Sequence, residues 1–173
     1  MTMRRTKRYT NVTFTKRVDH EGGRHRGPRA GEEPAVCTRC GARYEGRRWV
    51  MPTVSASRRR ATHLEVEETI CPACRQIESG LPGGFVTVDG AFFEHHGDEI
   101  EVLLTNEAER AALDNPLGRM MTSTREKGQL LLTTTTEHLA QRLGHALEKA
   151  FGGTVRYDFS HENKVARVYW HRD

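Results

Sequence analysis

Apolar side chains are spread unevenly along this chain, and their pattern divides it. From residue 1 to 34 they are sparse and follow no period. Such a segment has too few of them to offset the entropy of ordering, so it reads as a disordered arm. After the turn-rich Leu81-Pro82-Gly83-Gly84, the alternation of Phe85-Val86-Thr87-Val88 predicts a short strand. Ile100, Leu103, Leu104, Ala108, Ala111 and Ala112 then recur at helical spacing, predicting a helix over residues 91–113. Gly97 weakens that helix and Asn115-Pro116 ends it.

The last third of the chain carries the clearest periods. Strands are expected over 119–124 and 129–133, around the turn Glu126-Lys127-Gly128. Thr134 followed by Glu137 has the form of a capping box. Behind it Leu139, Leu143, Ala146, Leu147, Ala150 and Phe151 form one helical stripe, closed by Gly152-Gly153. Residues 155–159 and 165–171 alternate as a hairpin around His161-Glu162-Asn163. Val155, Tyr157 and Phe159 would line one face and Arg156 and Asp158 the other. On the last strand either Ala166, Val168 and Trp170 or Val165, Arg167, Tyr169 and His171 face inward; the alternation fits both.

Between arm and strands the period is lost and cysteines take over. Cys37-Thr-Arg-Cys40 and Cys71-Pro-Ala-Cys74 contain every cysteine of the chain. Gly41 after the first pair supplies a left-handed backbone cheaply, and Pro72 sits inside the second. Two such knuckles make the closed four-sulfur set of a structural zinc site, with no position open for water. Two disulfides are the alternative. Residues 1–19 lack the apolar core of a secretory signal, and nothing approaches the roughly 18 continuous apolar residues of a membrane span. A reducing, cytoplasmic setting is therefore expected, where paired cysteines are usually metal ligands. Neither pair shows the strand-helix setting of a redox C-x-x-C. His63 is a spare candidate ligand, and the adjacent His95 and His96 diverge too much on a helix to share an ion.

Composition agrees with a metal staple. The 173 residues are 36% hydrophobic and 29% charged, which limits the core. Net charge is +4 with a pI near 9.0, but the cations are concentrated. Arg4, Arg5, Lys7, Arg8, Lys16, Arg17, Arg24, Arg26 and Arg29 lie in the arm. Arg39, Arg43, Arg47, Arg48, Arg58, Arg59 and Arg60 surround the first knuckle, whereas residues 94–114 are acidic. A chain basic at one end suggests a polyanionic partner, most simply nucleic acid. Trp49 and Tyr44, interleaved with Arg43, Arg47 and Arg48, form either a base-stacking surface or the small core against the metal loops.

The fold class expected is α+β. A disordered basic arm (1–34) would precede a four-cysteine zinc-ribbon or treble-clef-like module (35–80). A strand and connecting helix (81–118) would lead to a four-stranded antiparallel sheet with one packed helix (119–173).

Two stretches together carry a resemblance. One is Cys37-x-x-Cys40-Gly41-Ala42-x-Tyr44, Gly46-x-x-Trp49 and Cys71-Pro72-x-Cys74. The other is Leu132-Thr133-Thr134-Thr135 with His138-Leu139-Ala140-x-Arg142-Leu143-Gly144-x-Ala146-Leu147. From residue 36 to 172 the chain resembles a family of small bacterial zinc-ribbon proteins. That family is similar to the N-terminal part of the archaeal and eukaryotic adaptor that binds the large ribosomal subunit. The resemblance implies a protein facing ribosomal RNA, with Cys37, Cys40, Cys71 and Cys74 as ligands of one structural zinc. Lacking the adaptor's later β-domains and export signal, the chain is not expected to export subunits.

The expected function is thus RNA binding on the ribosome, the large subunit favoured, as an assembly, quality-control or stress and hibernation factor. Partners would be ribosomal RNA and ribosomal proteins, with no membrane and no small-molecule substrate. Candidate RNA contacts are Arg4, Arg5, Lys7, Arg8, Lys16, Arg17, Arg43, Arg47, Arg48, Trp49, Arg58, Arg59 and Arg60. The alternatives are a DNA-binding transcriptional regulator, against which no recognition helix is evident at either knuckle, and a protein adaptor docking through the acidic helix. No phosphate loop, nucleophile elbow, H-E-x-x-H or open metal site suggests an enzyme.

Overall fold

The computed structural model describes residues 34–52, 66–160 and 165–173, and these form two mixed sheets and three helices. The expected arm, Arg58 to Arg60, His63 and the turn His161-Glu162-Asn163 lie outside the described residues, apart from Pro34. The α+β class holds.

The first sheet is small: β1 (Ala35–Cys37), β2 (Arg43–Glu45), β3 (Arg48–Val50) and β4 (Glu67–Thr69), in the order β3-β2-β1-β4. β1 and β2 are antiparallel, as are β2 and β3, but β4 runs parallel to β1. Helix α1 (Pro72–Ser79) follows and ends at Gly80, whose φ of 64° gives the left-handed C-cap.

The second sheet corrects the expected topology. It has five strands in the order β6-β7-β5-β9-β8, with β5 (Gly84–Asp89), β6 (Met120–Glu126), β7 (Gln129–Thr134), β8 (Thr154–Ser160) and β9 (Val165–His171). β5, read from sequence as part of a separate connecting segment, is the central strand. It pairs antiparallel with β7 and parallel with β9. Its partner on β9 lies some eighty residues away, so local alternation shows the strand but not its neighbours.

Two helices, not one, cover this sheet. Helix α2 (Ala91–Asp114) contributes Phe93, Ile100, Leu104, Ala108 and Ala111 to the core. Helix α3 (Glu137–Phe151) contributes Leu139, Ala140, Leu143 and Leu147. The open question on β9 is settled: Ala166, Val168 and Trp170 are fully buried, and the Trp170 indole donates to Gly152 O at 2.8 Å. Val155, Tyr157 and Phe159 pack at the edge of the same core, while Arg156 and Asp158 are exposed. α2 bends at His96, whose φ of −122° is non-helical, next to buried Gly97. Across the helix pair Arg142 of α3 binds Glu107 at 2.6 Å and Asp114 at 3.1 Å. Arg125 of β6 holds Asp98 and Glu101. Much of the acidic stretch is therefore paired within the fold.

The cap of α3 is also corrected. Thr136, not Thr134, is the N-cap, its hydroxyl accepting from Leu139 N at 3.2 Å. Thr134 is buried at the end of β7 and its hydroxyl donates to Thr136 O. With four threonines in a row, the capping pattern fits more than one frame. The strand simply runs further than expected.

Candidate metal centre

Each cysteine pair is set by a different element. Cys37 ends β1, and the chain turns back so that Gly41 N donates to Cys37 O at 2.9 Å and Cys37 N to Ala42 O at 2.8 Å. Gly41 takes φ 74°, as the sequence suggests, in the left-handed region where a side chain is strained. The β2–β3 hairpin closes over Gly46 and Arg47, both with positive φ. β4, in register with β1 (Cys37 opposite Thr69), then delivers the chain to Cys71. Cys71 is the N-cap of α1, and Pro72 occupies the first turn, where its missing N–H costs nothing. One pair thus sits on a β-turn and the other at a helix N-terminus.

The four sulfurs converge. All lie within 4.8 Å of one another, and Cys40 Sγ is 3.6 Å from Cys71 Sγ. A tetrahedron of sulfurs about 2.3 Å from a central ion has an edge of about 3.8 Å, so the spacing fits one metal. It is far from the roughly 2.05 Å of a disulfide, and all four thiols are free. Cys71 does stand between a strand and a helix, contrary to the sequence reading. Its sulfur is nonetheless buried among three others, the arrangement of a ligand.

The surroundings favour thiolates unequally. Burial pushes the Cys37 thiol up, but N–H donors from Cys71, Cys40 and Arg39 outweigh it and bring it down to about 6. Cys71 N lies 3.3 Å from Cys37 Sγ. Burial instead pushes Cys74 up to about 11, and Cys71 well above the usual thiol range. Four thiolates this close repel one another, so full deprotonation needs a cation at the centre.

Sequence reasoning missed the second layer. Arg119, in the loop between α2 and β6, donates from Nη1 to Cys74 Sγ at 3.8 Å. Its Nε donates to Pro116 O at 2.9 Å, and its backbone N to Thr135 Oγ1 at 2.8 Å. Thr135 is buried and its hydroxyl donates to Leu117 O at 2.6 Å. Leu117 itself packs in the apolar cluster of the metal module with Trp49, Ala42 and Ala73. From the other side, Gln76 of α1 donates to Thr135 O at 2.8 Å and Leu81 O at 2.9 Å. The threonine run at 133–136 was the one available sign of this junction.

The expected nucleic-acid contacts fall into three groups. Arg4, Arg5, Lys7, Arg8, Lys16, Arg17, Arg58, Arg59 and Arg60 lie outside the described residues. Arg47 and Arg48 are exposed on the β2–β3 hairpin and Arg43 is half-buried on β2. Trp49 is only 8% exposed and packs on Tyr44, ring centroids 5.4 Å apart, so it fills the module's core. His95 contacts Ala91 O, and His96 stacks on Phe92 near Glu99. Among the described residues only the four cysteines form a cluster fit for a metal. No described helix is long and apolar enough to cross a membrane.

No protein family, curated protein or solved structure matches the chain.

Proposed function

We propose that the chain is a zinc-stabilised RNA-binding protein that associates with the ribosome, the large subunit favoured. The carrying observation is the buried four-sulfur cluster, whose 3.6 Å edge suits one ion and leaves no vacant ligand position. Sulfur-only ligation at tetrahedral spacing suits zinc. The ion fixes three-residue strands that are too short to be stable alone. It carries no chemistry.

Rigidity of that kind presents cations. The exposed Arg47 and Arg48 project from the clamped hairpin, and the arginine-rich first thirty residues adjoin β1 in sequence. Guanidinium groups match phosphate oxygens bidentately. A zinc-ribbon or treble-clef-like module beside a basic arm is the arrangement that the resemblance to ribosome-facing proteins leads one to expect. Assembly, quality control or stress-time binding all fit. α1 does follow the second knuckle, but its outer face carries Glu78, paired with Arg39 at 2.8 Å, and Arg75 turns back to Ile70 O. Such a face is poorly suited to a DNA groove.

Sucrose-gradient sedimentation of cell extracts at low and moderate salt tests the reading. Co-migration with the large subunit at low salt, fading as salt rises, is the expected result. Sedimentation at the top of the gradient at every salt would sink it.

A further inference from the structure

The second sheet has two unlike faces. α2 and α3 bury one of them. The other carries the residues that alternate with the core positions: Phe85 and Thr87 on β5, Leu131 on β7, Arg167 and Tyr169 on β9, and Arg156 on β8. All six are half-buried or exposed, and among the described residues no core cluster forms over them.

Two aromatic rings sit at the middle of this face, on neighbouring strands. Thr87 is opposite Tyr169 and Phe85 opposite Arg167, so Phe85 and Tyr169 are diagonal neighbours. Diagonal positions lie roughly 7–8 Å apart, about twice the ~3.4 Å rise of a stacked strand. That separation suits two splayed bases better than one flat ligand. Each ring has its own cation: the Arg156 guanidinium carbon is 4.3 Å from the Tyr169 centroid and that of Arg167 is 5.4 Å from Phe85. Asp158 stands opposite Arg167 in register, yet among the described residues neither arginine has an ion pair. Asp89, at the end of β5, is taken by His171 at 2.7 Å. Two guanidinium groups held over aromatic rings, neither in an ion pair with a described carboxylate, complement a phosphate backbone whose bases stack alongside.

We infer that this open sheet face is a second nucleic-acid site, in which Tyr169 and Phe85 stack unpaired RNA bases while Arg156 and Arg167 hold the flanking phosphates. The inference deepens the proposed RNA binding and rests on it for the choice of RNA. It differs in being remote in sequence from the arm, and in reading single strands rather than phosphate alone.

The test measures binding of the full zinc-loaded chain to a fluorescent eight-nucleotide uridine oligomer, the deoxy oligomer and an RNA duplex across a salt series. Tyr169→Leu keeps an apolar strand residue but removes the ring, and Tyr169→Phe restores it; circular dichroism confirms that each variant is folded. Tyr169→Leu and Phe85→Leu should each weaken the uridine oligomer roughly five- to hundredfold. Tyr169→Phe should bind as wild type and duplex binding should not change. Unchanged single-strand binding in both leucine variants overturns the sheet-face site while leaving RNA binding by the arm intact. Loss of duplex and oligomer together, or tighter binding of the deoxy oligomer, also overturns it. No binding of any RNA by the wild type defeats both readings at once. Capture of a nuclease-resistant protein partner that Tyr169→Leu abolishes would assign the face to protein instead.

Discussion

The guanidinium of Arg119 lies 3.8 Å from the sulfur of Cys74, although the two residues belong to different sheets' surroundings and stand forty-five positions apart. A four-thiolate zinc centre carries a net charge of about −2, and buried charge of that size needs compensation. Arg119 supplies it. Though burial opposes its charge, the neighbouring sulfurs of Cys40, Cys74 and Cys71 hold Arg119 more firmly protonated than usual. Arg119→Met should therefore weaken metal binding roughly ten- to hundredfold, the effect expected when a ligand's outer partner is lost. Competition with a chromogenic chelator measures it. Arg119→Lys should recover only part, because a compact ammonium lacks the planar fork that reaches Pro116 O from Nε and Cys74 Sγ from Nη1.

Metal removal should unfold one part of the chain and spare the other. Strands β1 to β4 have three residues each, and their apolar cluster is built around three of the ligands themselves, Cys37, Cys71 and Cys74. The second sheet has its own core, centred on Trp170, Ile100, Leu104 and Leu143. On chelation, amide exchange protection should vanish in 34–52 and 66–80 while β5, β7 and β9 keep theirs. Uniform loss would show that the larger core depends on the ion too. Rebinding should release close to four protons at neutral pH, because thiols in the unfolded module keep their ordinary pKa of about 8.5 and must ionise to hold the metal. Calorimetry in buffers of different ionisation enthalpy counts them.

How much of this was legible beforehand follows the range of each interaction. The ligand set was readable because C-x-x-C spacing is local, and so was Gly41, whose conformation the knuckle requires. The turn at Lys127-Gly128, both at positive φ, and the stop at Asn115 are local as well. What failed was long-range. β5 was visible as a strand, but its parallel pairing with β9 depends on α2 and α3 carrying the chain across the sheet. Trp49 could be placed only by its neighbours, since an indole beside arginines reads the same whether buried or stacked on a base. Arg119 carried no signal at all. It is one arginine among many until the fold brings it to the sulfurs.

Gly144 sets the distance between α3 and β9. A Cβ there would stand 2.6 Å from Val168 Cγ1 and 3.1 Å from the Tyr157 hydroxyl. Val168 is fully buried, and Tyr157 is held by His145 at 3.1 Å, so neither can simply swing away. Gly144→Ala should cost about 1–3 kcal/mol despite the gain in helix propensity. Gly118→Ala is the control: its nearest neighbour would be at 3.5 Å, an ordinary contact. Urea denaturation should separate the two, with Gly118→Ala within about 0.5 kcal/mol of wild type.

His171 and Asp89 close the far end of the β5–β9 pair, opposite each other in register and 2.7 Å apart. Hydrogen bonds to Asp89 first and Asp173 second raise the histidine above its ordinary value of 6.5. The sign follows from linkage. A histidine held more basic in the folded chain favours folding fully below its unfolded pKa, and that contribution fades as pH rises through the folded value. Proton NMR should show His171 titrating above 6.5, and Asp89→Asn should bring it down. The stability difference between wild type and Asp89→Asn should be larger near about pH 6 than near about pH 9. A difference that instead grew with pH would mean that Asp89 acts through Gln129, whose amide donates to it at 3.3 Å, and not through the histidine.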